Sequence, residues 1–311
     1  LKEIVITGGA GFIGSNLAQR LVTNGHSVRI IDDLSTGRLA NIDRLVQGGD
    51  VDLVRGSILD RSLLREAFKG ADYIFHLAAL PSVARSVKDP LSTNEVNIEG
   101  TLNVLIEARD ANVGKVVTAS SSSVYGDTPT LPKDESMRPN PKSPYAISKL
   151  AGEHYCHVFS ELYGLATICL RYFNVFGPHQ DPRSEYAAVI PRFISSVLNG
   201  EPPLMYGDGA QTRDFTFVQD VVDANLLAME SDAEGAFNIS GGRQTSIEEL
   251  AWMIINAMGS DVEPVKGPRR PGDILHSVAD ITAARDAFGY RPEHSLEDGL
   301  EVTIEWFSSI R

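Results

Sequence analysis

A chain of 311 residues with 42% hydrophobic and 22% charged residues has the length for about two cooperating lobes and the composition of a soluble globular protein. Its formal net charge of −13 works against nucleic acid and anionic membranes as partners, and any anionic substrate must be met by local arginines. No apolar run of about 18 residues is long enough to span a bilayer, and the core-like start leaves no room for a signal peptide, so a cytoplasmic protein is expected.

In chain order, residues 4–7, 28–32, 52–55, 73–77, 115–119 and 167–171 carry β-branched or aromatic residues in short apolar runs and predict strands. Helical periodicity fills the gaps at 14–24, 61–68, 93–110 and 144–163. Strands separated by helices predict an α/β fold, a Rossmann-type doubly wound parallel sheet with helices on both faces. Cys156 and Cys169 fall in a helix and a strand of this pattern without paired spacing, and both are expected to be reduced, in or near the core. After Asn174 the rhythm breaks at Pro178, Pro182, Pro191, Pro202 and Pro203, a stretch suited to shaping a pocket. The expected division is a dinucleotide-binding domain at 1–174 and a smaller α/β substrate lobe at 175–311. A helix at 218–229 and a strand at 236–239 return to the first domain, within 214–240, so the lobes interleave.

Thr7-Gly8-Gly9-Ala10-Gly11-Phe12-Ile13-Gly14 stands between the first strand and the first helix. Gly8 suits the tight turn, Gly11 a backbone that approaches a pyrophosphate, and Gly14 close packing of the helix. Asp32 ends the second strand, where a carboxylate accepts from both hydroxyls of an adenosine ribose and repels a 2′-phosphate; Asp33 can share or take that role. The pattern predicts a dinucleotide, NAD rather than NADP.

Tyr145 and Lys149 lie at i and i+4 on the helix entered through Ser143-Pro144, and so share a face. A lysine ammonium and a positive nicotinamide favour a phenolate, which can take a hydroxyl proton as hydride leaves the same carbon. Ser120-Ser121-Ser122-Ser123 ends a strand at the carboxyl edge of the sheet, where a hydroxyl can hold the reacting oxygen against Tyr145.

These motifs, with Val124-Tyr125-Gly126 and the run Arg171-Tyr172-Phe173-Asn174-Val175-Phe176-Gly177, resemble the extended short-chain dehydrogenase/reductase family, and within it the NAD-dependent nucleotide-sugar 4-epimerases. The likeness runs through Arg213-Asp214-Phe215 and Arg269-Arg270-Pro271-Gly272-Asp273, nearly the whole chain. It implies Ser121 as the catalytic hydroxyl beside Tyr145 and Lys149. It implies cofactor contacts from Phe12 and Ile13, from Ser57 and Ile58, and from Leu77, Ala78 and Ala79. Asn97 is expected in the helix lining the cofactor cleft, and Phe173 near the nicotinamide. The family's usual Gly-Asp-Ile is here Gly56-Ser57-Ile58, with a serine where an aspartate meets the adenine amino group.

The dehydratase and decarboxylase relatives place acids where this chain has Ser122 and Ser123. The resemblance therefore implies a redox-neutral reaction: Tyr145 deprotonates the 4-hydroxyl, a 4-keto sugar forms, turns over about its diphosphate, and is reduced on its other face with NAD retained. Arg213 and Arg270 are implied on the diphosphate of a UDP-sugar, Asp273 on the uridine ribose, and Asn174 on the diphosphate or the sugar; guanidinium groups suit phosphate oxygens. Ser277 stands where a small residue admits an N-acetyl group, and Ser82, Ser122, Gln180 and Val189 are further expected substrate contacts, although Pro81 replaces the glycine usual before that serine. UDP-N-acetylglucosamine and UDP-N-acetylgalactosamine are the expected substrates, with the plain hexose pair alongside. Epimerisation of UDP-glucuronate and a net oxidoreductase that releases its cofactor are the alternatives, followed by a non-catalytic dinucleotide sensor, which the retention of Tyr145 and Lys149 argues against. His154 and His157 lack a third ligand and predict no metal. The apolar stripes of 93–110 and 144–163 can pair two copies as a four-helix bundle, or pack in the core.

Overall fold

Alternation along the first strand decides how the sheet is covered. Ile4 and Ile6 belong to one buried cluster and Val5 to another, so each face is sealed by its own layer of helices. In the computed structural model, which describes residues 1–181, 188–268 and 275–310, the strands β1 (Glu3–Thr7), β2 (Ser27–Asp32), β3 (Val51–Arg55), β4 (Tyr73–His76), β5 (Lys115–Ser121) and β6 (Thr167–Tyr172) match the expected runs to within two residues at either end. The helices of this half are α1 (Phe12–Thr23), α2 (Asp43–Gly48), α3 (Arg61–Ala67), α4 (Val83–Lys88), α5 (Pro90–Asn94), α6 (Gly100–Asp110) and α7 (Pro144–Tyr163). The continuous helix expected over 93–110 is instead interrupted by a π turn at Glu95–Glu99. Helix α7 starts where Ser143 Oγ accepts the Ala146 N–H and Pro144 occupies the first turn, and stops at Gly164 with φ 67°.

The chain continues through β7 (Val175–Phe176), α8 (Val189–Leu198), β8 (Leu204–Tyr206), β9 (Thr212–Asp214), β10 (Thr216–Phe217), α9 (Val218–Glu230), β11 (Gly235–Ile239), β12 (Gln244–Ser246), α10 (Ile247–Ala257), β13 (Val265–Gly267), α11 (Thr282–Phe288) and α12 (Leu296–Ser309). The large sheet is wholly parallel with the order β3-β2-β1-β4-β5-β6-β11. One face is packed by Leu17 and Leu21 of α1 with Val221 and Ala228 of α9. The other is packed by Leu64 of α3, Val104 and Leu105 of α6, and Cys156 and Phe159 of α7. Strand β11 returns from within the second half of the chain to pair with β6. The second lobe has its own core, including Phe193, Ile194, Leu250, Ile254 and Phe307 from α8, α10 and α12, beside three two-stranded ribbons. Both cysteines are buried free thiols. Among the described residues no helix is long and apolar enough to cross a membrane.

The reversal of strand order lies between β1 and β4, and a crevice opens there at the carboxyl ends of the strands.

Candidate active site

That crevice is a cleft of about 720 Å³ whose lining includes Gly8, Gly11, Phe12, Ile13 and Gly14, Asp32 and Asp33, Ser57 and Ile58, Leu77 to Ala79, Tyr145 and Lys149. The three glycines divide their work as the spacing predicts, with one refinement. Gly8 has φ 74°, and a Cβ there would meet the Ala78 backbone nitrogen at 2.7 Å. At Gly11 a Cβ would find only the Gly8 carbonyl, at 3.1 Å, and otherwise open space. Gly14 packs against the loop rather than the sheet: its Cβ would sit 2.2 Å from the Gly8 carbonyl oxygen. Gly11 caps α1 without a side-chain hydrogen bond, which leaves the first-turn N–H groups turned toward the cleft.

Asp32 is 7% exposed and uses one oxygen for the Ala10 N–H and the other for the Leu34 N–H, both at 2.9 Å. Burial raises its carboxyl above the usual range, against the pull of those two bonds. Each oxygen keeps a lone pair for a ribose hydroxyl. Asp33 is exposed, and its Oδ1 accepts the Ser35 N–H. Ser57 Oγ accepts the Leu59 N–H at 3.2 Å, leaving one further acceptor position.

Tyr145 and Lys149 stand side by side in the cleft wall, with Lys149 Nζ 5.9 Å from the Tyr145 ring centroid. Nζ donates to the Ala119 carbonyl at 2.9 Å, which fixes the ammonium over the end of β5. Burial pushes the Tyr145 phenol up, against a smaller downward pull from the neighbouring Ser121 side chain. Burial wins, so the protein's own groups raise Tyr145 rather than lower it as the spacing argument expects. Lys149 is pushed down to about 8 by the same desolvation.

Two expected cofactor residues sit elsewhere. Phe173 is fully buried, packed 6.2 Å from the Tyr125 ring, and does not line the cleft; its neighbour Tyr172 does. Side chains alternate at a strand end, and here the even position faces the cleft. Asn97 is also buried. Its Oδ1 accepts the Leu80 N–H at 2.7 Å, and its Nδ2 donates to the Leu80 carbonyl and to Ser148 Oγ. It therefore ties the loop after β4 to α7 instead of facing a ligand. His76 had no sequence signal, yet it links this framework: Thr7 Oγ1 and Thr101 Oγ1 each lie 2.8 Å from its ring nitrogens. Thr101 donates to the Asn97 carbonyl, so His76 Nε2 donates to Thr101 and Nδ1 accepts from Thr7. Burial, followed by Lys149, holds His76 neutral, down to about 3.

A second cavity of about 470 Å³ is lined by Asn174, Val189 and Arg213, together with Arg192, Tyr206 and Phe215. The two cavities share Ala188, and Ser82 lines the first where Val83 lines the second. Asn174, at φ 31°, donates from Nδ2 to the Asp214 carbonyl. Arg213 donates to the Thr212 carbonyl. Arg192, which the sequence reading passed over, stacks its guanidinium 5.1 Å from the Tyr206 ring. Gln180 lies on the cofactor cleft rather than in the second cavity; its Nε2 donates to the Val175 carbonyl, and its buried Oε1 has no partner among the described residues. Ser122 turns into the short 3-10 segment Ser122–Tyr125 and, like Ser277, is half-buried outside both linings. Arg270 and Asp273 lie outside the described residues. Among the described residues no three metal-ligating side chains converge, and His157 rests against Glu161 at 3.5 Å.

Residues 4–240 match the model of the family described as "NAD dependent epimerase/dehydratase family". The chain belongs to that family. The UDP-glucose 4-epimerase of Mycolicibacterium smegmatis is 43% identical over 307 residues, covering 97% of each chain. A UDP-N-acetyl-alpha-D-glucosaminuronate decarboxylase of Bacillus cytotoxicus is 37% identical over 321 residues, covering 99% of this chain and 98% of that one. Among solved structures, the UDP-N-acetylglucosamine 4-epimerase of Methanobrevibacter ruminantium, in complex with UDP-N-acetylmuramic acid, superposes with a TM-score of 0.96 at 43% identity over 100% of this chain and 99% of that one. The UDP-glucose 4-epimerase of Thermus thermophilus, in complex with NAD, gives a TM-score of 0.90 at 36% identity over 99% and 100%.

As a member of this epimerase/dehydratase family the protein is an enzyme whose cofactor is NAD. The chain's own features fit it: an uncapped helix start for the pyrophosphate, an open face at Gly11, and free lone pairs on Asp32 for the ribose.

Proposed function

We propose that the protein is a UDP-sugar 4-epimerase that interconverts UDP-N-acetylglucosamine and UDP-N-acetylgalactosamine, and the plain hexose pair alongside, without net consumption of NAD. The observation that carries this reading is the Tyr145–Lys149 pair in a cleft that meets the second cavity at Ala188, with Ser121 next to the phenol and serines at 122 and 123 where an eliminating acid would stand. NAD, when bound, takes up and returns a hydride. Tyr145 takes the 4-hydroxyl proton and later gives it back, Ser121 holds that oxygen in line, and Lys149 supplies a fixed positive charge beside the phenol. Arg213, with Arg270, neutralises the diphosphate, Asp273 binds the uridine ribose, and Asn174, which shares the second cavity with Arg213, contacts the diphosphate or the sugar. Gln180, which lines the cofactor cleft, is assigned a contact to the sugar. Ser277 is assigned the room for that substituent.

A second copy of the chain completes this reading. Ile147, Val158 and Leu162 form one stripe of α7 and are 52%, 39% and 71% exposed; Leu91 of the adjoining α5 is 82% exposed. Pairing these faces across a two-fold axis makes a four-helix bundle.

The test is proton NMR of UDP-N-acetylglucosamine and, separately, UDP-glucose incubated with purified protein and no added NAD. Conversion of the first to its 4-epimer is expected, with Ser277→Tyr losing the acetylated substrate before the plain one. No change in either sugar, with NAD then added and bound, overturns the reading.

A further inference from the structure

An enzyme that oxidises and then reduces the same sugar fails if NAD leaves between the two steps, so something must hold the cofactor in place. A short segment after β7 crosses between the two ends of the cleft. Three of its residues reach elements that line the cofactor site. The Pro178 carbonyl accepts from Asn16 Nδ2 at 3.0 Å, in the first turns of α1. His179, at φ 72°, places Nδ1 2.8 Å from Ser15 Oγ. Ser15 gives its own hydrogen to the Phe12 carbonyl, so Nδ1 carries the proton of that bond. Asp181 closes the series with an ion pair to Arg38, 143 residues away in sequence. Arg38 is itself anchored to the glycine loop, because its N–H and Asn41 Nδ2 both donate to the Ala10 carbonyl at 2.9 Å. His179, Asp181 and Arg38 all line the cofactor cleft.

We propose that residues 178–181 form a clasp across the NAD cleft, closed by the Arg38–Asp181 pair, that slows exchange of the cofactor between turnovers. The proposal rests on the retained-NAD reading above. Both partners of each contact belong to the chain, so opening costs the same contacts whether NAD is entering or leaving. A clasp therefore slows both directions, whereas a direct ligand contact slows only departure. With side chains 38% and 33% exposed, the pair lies between a surface and a buried one. Its loss is expected to change rates about three- to tenfold.

The experiment is exchange of bound NAD for isotopically labelled NAD, followed by mass spectrometry, with association followed through tryptophan fluorescence. Trp306 lies 5.6 Å from the His179 ring and reports on the clasp directly. Asp181→Asn is expected to speed association and dissociation alike, with Kd changed less than about twofold, and the charge-swapped Arg38→Asp/Asp181→Arg protein to restore slow exchange. Unchanged exchange in Asp181→Asn overturns the proposal. So does faster dissociation alone with a matching rise in Kd, since the pair then acts as a ligand contact. Neither measurement uses a sugar, so a failure of the epimerase reading would show in the NMR experiment and not here.

Discussion

Lys149 carries the sharpest consequence at the scale of single residues. Its ammonium is pushed down to about 8 by burial, and the charge of an oxidised nicotinamide pushes the same way. The charged form is present below that value and lost as pH rises through it. Activity that needs the ammonium should therefore fall on an alkaline limb centred near or below about pH 8. Lys149→Arg, whose guanidinium does not titrate there, should lower kcat and yet abolish that limb; a wild-type kcat/KM that stays level well above it would refute the assignment. Tyr145→Phe should reduce turnover by roughly 10²–10⁴-fold while NAD still binds, as measured by cofactor content after denaturation. The glycine loop, Asp32 and the Tyr145/Lys149 pair were legible in the sequence because each is a local spacing on one strand or helix. Phe173 was not, because motif position alone does not say which of two successive strand-end side chains faces the ligand. Asn97 and His76 were missed as supports because their partners, Leu80, Ser148, Thr7 and Thr101, lie on other elements.

At the scale of elements, α7 presents Tyr145, Lys149 and Glu153 at i, i+4 and i+8 on one face. Glu153 grips Arg171 of β6 through two bonds, at 2.8 and 2.7 Å, and takes the Ser120 hydroxyl at 2.5 Å. Arg171 goes on to the Tyr125 hydroxyl, which donates to Asn238 of β11. Helix α7, which carries Tyr145 and Lys149, is thus fastened to three strands by one buried network. Glu153→Gln should cost about 3–5 kcal/mol by leaving the Arg171 charge uncompensated. A Glu153→Leu/Arg171→Met double variant should cost less than that single change, as read from denaturant unfolding. If the double variant is the less stable, the network matters through packing and not charge. The π turn at Glu95–Glu99 was invisible to periodicity, which registers a change of one residue per turn poorly over so short a run.

The whole molecule was legible where strands alternate with helices and blurred where the second lobe is assembled from two-residue and three-residue strands, too short to show a period. Pairings such as Arg38 with Asp181 join remote parts of the chain and leave no local trace. If the exposed faces of α5 and α7 meet their symmetry mates, Leu91→Asp/Leu162→Asp should sediment at half the mass of the parent protein, with its far-ultraviolet circular dichroism intact. A parent protein that already sediments as a single chain would remove the bundle from the reading. The position of β11 has a different consequence. All six residues of β6 are buried, and β11 covers its outer edge, so the strand that finishes the cofactor-binding sheet is made only after β7 to α9. A ribosome releasing the first 174 residues exposes an unfinished strand edge, with its backbone N–H and C=O groups unpaired on that side, that must wait for its last neighbour. The two lobes are therefore not cassettes: a chimaera spliced at that point inherits one parent's sheet and the other's edge, and a new specificity is more safely introduced residue by residue than by exchanging halves.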